Sequence, residues 1–491
     1  MAWTKDALKD MIRQRLGDEL FVIVSNREPY IHSFEGEEIV CQIPPSGLTI
    51  ALDPVMRACG GLWVAHGSGE ADRQVVDASD HLQVPPENPA YTLRRVWLSK
   101  EEEDRYYYGF SNEALWPLCH IAYTRPSFNA DDWAAYQAVN KKFADAILKE
   151  VGDRRAFVFI QDYHFALLSR LLKRSNIRTA QFWHIPWPNP EAFRICPWAE
   201  ELLDGLLGND LLGFHVQYHC QNFLDTVDRM IEAKMDYERF EITRGGLTTK
   251  IKPFPISVDF EAIAERAASP PVAEEMKRLQ RRHGLRGRLI GLGVDRIDYT
   301  KGIPERLRAI DRLLERHPDL QTRFVFVEVG VPSRVHIGAY QRVNDEIDQL
   351  VESINWKYQT DSWKPILYLK QHATPMSLQA WYRLASVCIV SSLHDGMNLV
   401  AKEFVASRAQ EDGVLILSRF TGAARELSDA TLINPYAVDE VAEILHQAVT
   451  LAPEEQQRRM RNLRAQVREH NIYRWAGQVL SALFKFEFQE A

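Results

Sequence analysis

Short apolar runs rich in β-branched residues recur along the chain. Between many of them lie helix-length stretches with apolar residues at helical spacing. In the first half the runs are "LFVIVSN" (20–26), "GLWVAHG" (61–67), "AFVFIQD" (156–162), "RTAQFWH" (178–184) and "DLLGFHV" (210–216). In the second they are "RLIGLGV" (288–294), "RFVFVEV" (323–329), "ILYLK" (366–370), "SVCIVSS" (386–392), "GVLILS" (413–418) and "ATLINP" (430–435). "GIPERLRAIDRLLERHPDL" (302–320) is typical of the helical stretches. Nearly continuous apolar strands alternating with helices predict parallel sheets covered on both faces. The pattern occurs twice, and prolines interrupt it at "KIKPFPISVDFEAI" (250–263). The expected fold class is therefore α/β, with two doubly wound domains over 1–255 and 256–470 facing each other across one ligand-binding cleft. The tail, 471–491, reads as a helix whose aromatic stripe serves packing, back on the N-terminal domain.

Composition changes this picture little. The 491 residues carry 46% hydrophobic side chains, ordinary for a globular chain of two to four domains. A formal net charge of −8 and a pI near 6.0 argue against a nucleic-acid footprint. The basic run at 277–288 and the acidic run at 101–104 read as solvated helix faces, the second as a helix start. Six cysteines without paired spacing predict buried, reduced thiols. There is no apolar run of membrane-spanning length and no signal-like N-terminus, so the expectation is a cytoplasmic protein with no membrane partner.

Chemistry gathers where strands end. "DRIDYTKG" places Arg296 and Lys301 just before a helix start, where free N–H groups already favour an anion such as a diphosphate. The alternative is that the two cations merely pair with Asp295 and Asp298. "HDGMNLVAKE" (394–403) follows another strand, with Gly396 for close backbone approach and Asn398 as N-cap. Asp395 could accept from sugar hydroxyls and Glu403 from a ribose diol, or both could simply favour the helix N-terminus. In the first half, Arg27, Asp162, His164 and His184 follow strands, Tyr107 and Trp116 lie in "YYYGFSNEALWP", and Gly47 marks a helix start. Arg334 follows a strand of the second half. HExxH, DxD, paired-Cys and GxxxxGK[ST] patterns are absent, and "GLGVDR" is not GxGxxG.

Together, "VSNR", "GGLW", "FSNEALWP", "QDYH", "FWHIPWP", "DLLGFH", "DRIDYTKG", "DGMNLVAKEF" and "RFTGAARELSDATLINPY" resemble the trehalose-6-phosphate synthase family, in that family's order over roughly residues 20–475. The resemblance implies two Rossmann-like domains in the GT-B arrangement and retaining glucosyl transfer from UDP-glucose to glucose 6-phosphate, giving trehalose 6-phosphate and UDP. It implies catalytic roles for His184, Asp395, Arg296 and Lys301. Donor contacts would come from Ser46, Gly47, Arg296, Lys301, Ala373 and the run Gly396, Met397, Asn398, Leu399, Val400, Ala401, Lys402 and Glu403. Acceptor contacts would come from Arg27, Trp63, Tyr107, Trp116, Asp162 and Arg334. Neither metal nor cofactor is implied, since two basic side chains and helix N–H groups face the leaving diphosphate. The partners are the two small substrates, and a homo-oligomer is left open.

The sequence departs from the family pattern at Ser46 (usually glycine), Gln161 (usually histidine), Ala373 (often aromatic) and His394 (usually arginine). "REPY" at 27–30 is also similar to glucosylglycerol-phosphate synthases, which use glycerol 3-phosphate and typically ADP-glucose. A sister transferase of that kind, or an idle sugar-phosphate-binding regulator, are the competing expectations. Retention of Arg296, Lys301, Asp395, Glu403 and His184 speaks against the idle one.

Overall fold

The apolar runs form buried strands. Ala156–Gln161 and Ile177–Phe182 are buried at every position, as strands covered on both faces must be. The computed structural model describes residues 3–44, 47–371 and 373–488. The chain divides into two units, Met1–Ile256 with Ile472–Ala491, and Ser257–Asn471.

The first unit holds a ten-stranded sheet. Its parallel centre runs Leu247–Pro253, Leu211–Phe214, Ile177–Phe182, Ala156–Gln161, Leu20–Arg27, Leu62–His66 and Tyr91–Val96. Antiparallel strands close both edges, Glu241–Arg244 and Lys234–Asp236 on one side and His81–Val84 on the other. Strand order reverses between Leu20–Arg27 and Ala156–Gln161, so the crevice for a ligand lies beyond their carboxyl ends. The tail joins this unit through the helix Ile472–Leu483. Trp475 meets Phe182 edge-on at 5.3 Å, and Phe484 packs on Phe157 at 4.8 Å.

The second unit has six parallel strands in the order Ile366–Leu369, Phe324–Val331, Leu289–Arg296, Val387–Val390, Val414–Ser418 and Thr431–Ile433. Here the order reverses between Leu289–Arg296 and Val387–Val390. "DRIDYTKG" and "HDGMNLVAKE" leave from those two strands, which is why distant stretches of sequence share one site.

Several elements differ from expectation. The proline-rich break begins later than 250, because Leu247–Pro253 completes a strand beside Leu211–Phe214. A hairpin, Ile31–Glu35 with Glu38–Gln42, fills the long loop after Arg27. Cys41 is exposed and Cys59 only partly covered, so not every thiol is buried. The acidic run opens the helix Lys100–Glu103 through a Ser99–Glu102 capping box, and the chain then continues in wide π-helical turns over Asp104–Leu115.

Candidate functional site

In the second unit the site is built on the reversal point. Lys301 Nζ lies 2.5 Å from Asp395 Oδ2, which also accepts from Ser392 Oγ at 3.2 Å and Asn398 Nδ2 at 3.3 Å. Asp298 and Asp295 are taken elsewhere. Arg306, fully buried, donates to Asp295 at 2.6 Å and to the Ile389 carbonyl at 2.7 Å, tying the two reversal strands together. Burial raises Asp295 against the pull of Arg306, and raises Glu328, which shares that guanidinium, to about 7. Asp298 accepts from Thr300 N at 2.9 Å and from Tyr340 Oη at 3.1 Å. Burial opposes its ionisation, yet Arg334, Arg296 and Lys301 hold its carboxyl below the usual range. Gly302 sits at φ 62°, and a Cβ there would stand 2.2 Å from the Ser391 carbonyl. Only glycine lets the Lys301 turn approach the loop carrying Asp395 so closely.

Asn398 caps the helix Leu399–Ser407, its Oδ1 accepting from Ala401 N at 3.2 Å, with φ at 87°. Leu399 and Val400 stand at the first two helical positions, whose N–H groups have no intrahelical acceptor. Glu403, one turn in, accepts from Tyr382 Oη at 2.8 Å, and burial raises its carboxyl against that hydrogen bond. The loop before the cap is braced from "RFTGAAR". Asp395 N donates to Phe420 O at 3.1 Å and Ala423 N to Met397 O at 2.9 Å, with Gly396 packed on Gly422 so tightly that a Cβ would not fit. A cationic side chain, a carboxylate and two helix N–H groups thus converge, a donor set suited to a diphosphate attached to a sugar.

The first unit has its own cluster at its reversal point. Arg27 Nη2 donates to Tyr107 Oη at 3.1 Å, and the Tyr107 ring stacks on His164 at 5.6 Å and 11°. Asn112 binds the Tyr107 carbonyl at 2.6 Å and receives Tyr163 Oη at 2.8 Å, so "FSNEALWP" and "QDYH" form one assembly. Trp116, nearly buried, packs on Tyr163 and His120 behind it. Asp162 takes φ 73° and ψ 178°, a region almost reserved for glycine, while accepting from Tyr163 N at 2.9 Å and His184 N at 3.1 Å. His184 lies 2.9 Å from Gln161 Oε1, and burial, helped by His164, drops its pKa to about 3, so the ring is neutral. Beside Arg27 opens a cavity of about 200 Å³ lined in part by Asn26, Glu28, His66, Ser68 and Tyr107.

These features match known proteins along nearly the whole chain. The family model for glycosyltransferase family 20 matches residues 19–485. The chain belongs to glycosyltransferase family 20. Among relatives, the trehalose-6-phosphate synthase of Mycolicibacterium vanbaalenii is 38% identical over 480 residues, 96% of each chain. An E. coli structure bound with UDP-2-fluoro glucose aligns at TM-score 0.84 and 32% identity, over 96% of this chain and 100% of that one. The UDP-forming α,α-trehalose-phosphate synthase of Burkholderia xenovorans, in complex with glucose 6-phosphate, aligns at 0.85 and 30%, over 94% and 99%. This family 20 chain is accordingly an α/β glycosyltransferase.

Other expected site residues are placed as follows by the fold. Trp63 is fully buried, donates Nε1–H to Ser25 Oγ at 2.8 Å and stacks on Tyr91 at 5.9 Å. The Lys402 side chain is buried against Glu426 at 2.6 Å, and the Ala401 N–H donates to the Asn398 cap. Arg334 lies in the second unit at φ 49°, nearly buried, with its guanidinium on Tyr340 and 3.6 Å from Asp298. Gly47 opens the helix Gly47–Cys59 as expected, Ala373 lies just before the helix Pro375–Leu384, and Ser46 falls outside the described residues.

Sequence reasoning passed over Arg306, Tyr382, Glu28 and His66. Arg306 and Tyr382 lie within helices, in the first turn of one and the last turn of the other, with no motif to flag them. Glu28 and His66 were visible, in "NREPY" and "VAHGSG", as polar residues at the ends of neighbouring apolar strands. Glu28 is buried with Arg95 at 2.8 Å, burial raising its carboxyl well above the usual range. His66 Nδ1–H donates to the Val96 carbonyl at 3.1 Å, which leaves Nε2 as an acceptor.

Proposed function

We propose that the enzyme transfers glucose with retention from UDP-glucose to glucose 6-phosphate, forming α,α-trehalose 6-phosphate and UDP. The observation that carries this is the set at the second unit's reversal point, where Lys301, Asp395 and the Leu399–Val400 end of a helix meet. Relatives solved with a UDP-glucose analogue and with glucose 6-phosphate support the choice of substrates. In this reading the uridine ribose is held by Glu403 and the diphosphate by Arg296, Lys301 and the first-turn N–H groups. The resemblance assigns Gly47 and Ser46 to the diphosphate, Ala373 to the base, and Asp395 and His184 to the glucose hydroxyls. Arg27, Tyr107 and Arg334 bind the acceptor phosphate, and Asp162 accepts from acceptor hydroxyls.

In the transfer step the bond from glucose C1 to the diphosphate oxygen breaks on the face where the acceptor's anomeric oxygen bonds. The acceptor hydroxyl proton passes to the departing diphosphate. No protein nucleophile is used. Arg296 and Lys301 neutralise charge that grows on the leaving group, and the neutral His184 orients a sugar hydroxyl without adding charge. Two variants separate the substrates. Arg296→Ala should lose UDP binding and turnover, whereas Arg27→Ala should raise the glucose 6-phosphate KM and leave UDP binding intact. Unchanged donor and acceptor constants in both would refute the assignment.

A further inference from the structure

At the amino edge of the second sheet, opposite the strand ends that carry Lys301 and Asp395, three metal-ligating side chains meet. His317 ends the helix Ile303–Arg316, Asp319 follows in the turn Pro318–Leu320, and His446 lies on the helix Val438–Val449, which packs against the first. One ligand atom from each lies within 4.8 Å of the others. The two imidazoles are face to face, with ring centroids 3.7 Å apart and planes 6° from parallel. Glu443, one turn before His446, stands 3.3 Å from His317 Nε2 and is held by Arg316 at 3.1 Å. We infer that His317, Asp319 and His446 form a structural site for a divalent transition-metal ion of the zinc type, stapling the two helices together.

The donor set selects the class of ion. Two imidazoles and one carboxylate suit Zn²⁺, Ni²⁺ or Cu²⁺, whereas Mg²⁺ and Ca²⁺ prefer oxygen donors. Glu443 supplies what isolated surface histidines lack. An ionised carboxylate only accepts, so with Glu443 on Nε2–H the neutral His317 ring offers Nδ1 as its ligating nitrogen. A carboxylate behind the ligating imidazole is the usual outer partner of a metal histidine. Bonds of about 2.0–2.2 Å to the ion require the three donors to close inward. A metal lies in the plane of each imidazole that binds it, so the two rings must also turn out of their stack, which their half-exposed positions leave room for. The site is remote from the transfer chemistry, because the 14-residue helix between Gly302 and His317 spans about 21 Å. Its role is therefore to clamp, and it stands independently of the proposed substrates.

The test is a titration of chelator-treated full-length protein with ZnCl₂, followed by calorimetry and thermal melting, with MgCl₂ as control. One saturable Zn²⁺ per chain and a raised melting midpoint are expected, with no effect of Mg²⁺. His446→Ala and Asp319→Asn, each shown folded by circular dichroism, should abolish the site. Glu443→Gln should weaken it about 10- to 100-fold. Absence of saturable Zn²⁺ binding in the wild type would overturn the inference, and so would equal binding and melting shifts in the wild type and the ligand variants.

Discussion

Lys301 Nζ sits 2.5 Å from Asp395 Oδ2, joining the ends of two neighbouring strands across 94 positions of sequence. The pair is nearly buried, with side chains 11% and 14% exposed, so each charge depends on the other until a substrate arrives. Lys301→Ala should reduce kcat by about 10²–10³, the usual cost of losing one preorganised partner of developing charge. Lys301→Arg should not restore it, because a planar fork does not fit a point-charge position. Steady-state kinetics with UDP-glucose check both expectations.

Asp162 stores strain where the acceptor is proposed to bind. A non-glycine residue at φ 73° and ψ 178° costs about 1–3 kcal/mol, a cost met here by its hydrogen bonds to Tyr163 N and His184 N. Asp162→Gly and Asp162→Ala lose those bonds alike, but only glycine relieves the backbone. Chemical denaturation should therefore find the glycine variant more stable than the alanine variant, and both should show a raised acceptor KM.

Glu403 trades stability for binding. Burial raises its folded pKa, so the native state prefers the protonated form, and stability falls as pH climbs from the ordinary carboxylate range through that raised value. Glu403→Gln should flatten this part of the stability profile, leaving the protein at least as stable at neutral pH. The same change should raise the UDP-glucose KM about 10- to 100-fold, since a hydrogen bond to a charged group contributes about 1.5–3 kcal/mol. Melting curves across pH and initial rates measure the two effects separately.

His184 has the opposite sign. With its folded pKa lowered from 6.5 to about 3, the unfolded chain binds the extra proton first. Stability is therefore fully present above pH 6.5 and is lost as pH falls through the window between those values. His184→Gln should remove that loss from the acid limb of the stability profile. In the wild type, kcat should show no ionisation of His184 near 6.5; an NMR titration of its ring protons tracks the same group directly.

Much of this was legible in the chain because a doubly wound fold sends its functional groups to strand ends. Arg27, Asp162, Arg296 and Asp395 all stand at or just after the end of an apolar run, where such groups are expected. The helix cap at Asn398 and the helix start at the acidic run 101–104 were equally local signals. Strand adjacency could not be read, and hence neither could the pairing of Lys301 with Asp395 rather than with its sequence neighbours Asp295 and Asp298. Those acids are claimed by Arg306 and Arg334, which reach them from other elements. Trp63, which only the resemblance linked to the acceptor, lies fully buried in a strand covered at every position, a burial its sequence neighbours do not signal. Its neighbour His66, at the strand end, reaches the cavity instead.

The most direct test of the central claim is product analysis with UDP-, ADP- and GDP-glucose, each crossed with glucose 6-phosphate and glycerol 3-phosphate. UDP-glucose and glucose 6-phosphate should yield a phosphodisaccharide, with UDP released and both anomeric centres α by NMR. Failure of every nucleotide donor to yield a phosphodisaccharide from glucose 6-phosphate would contradict that claim.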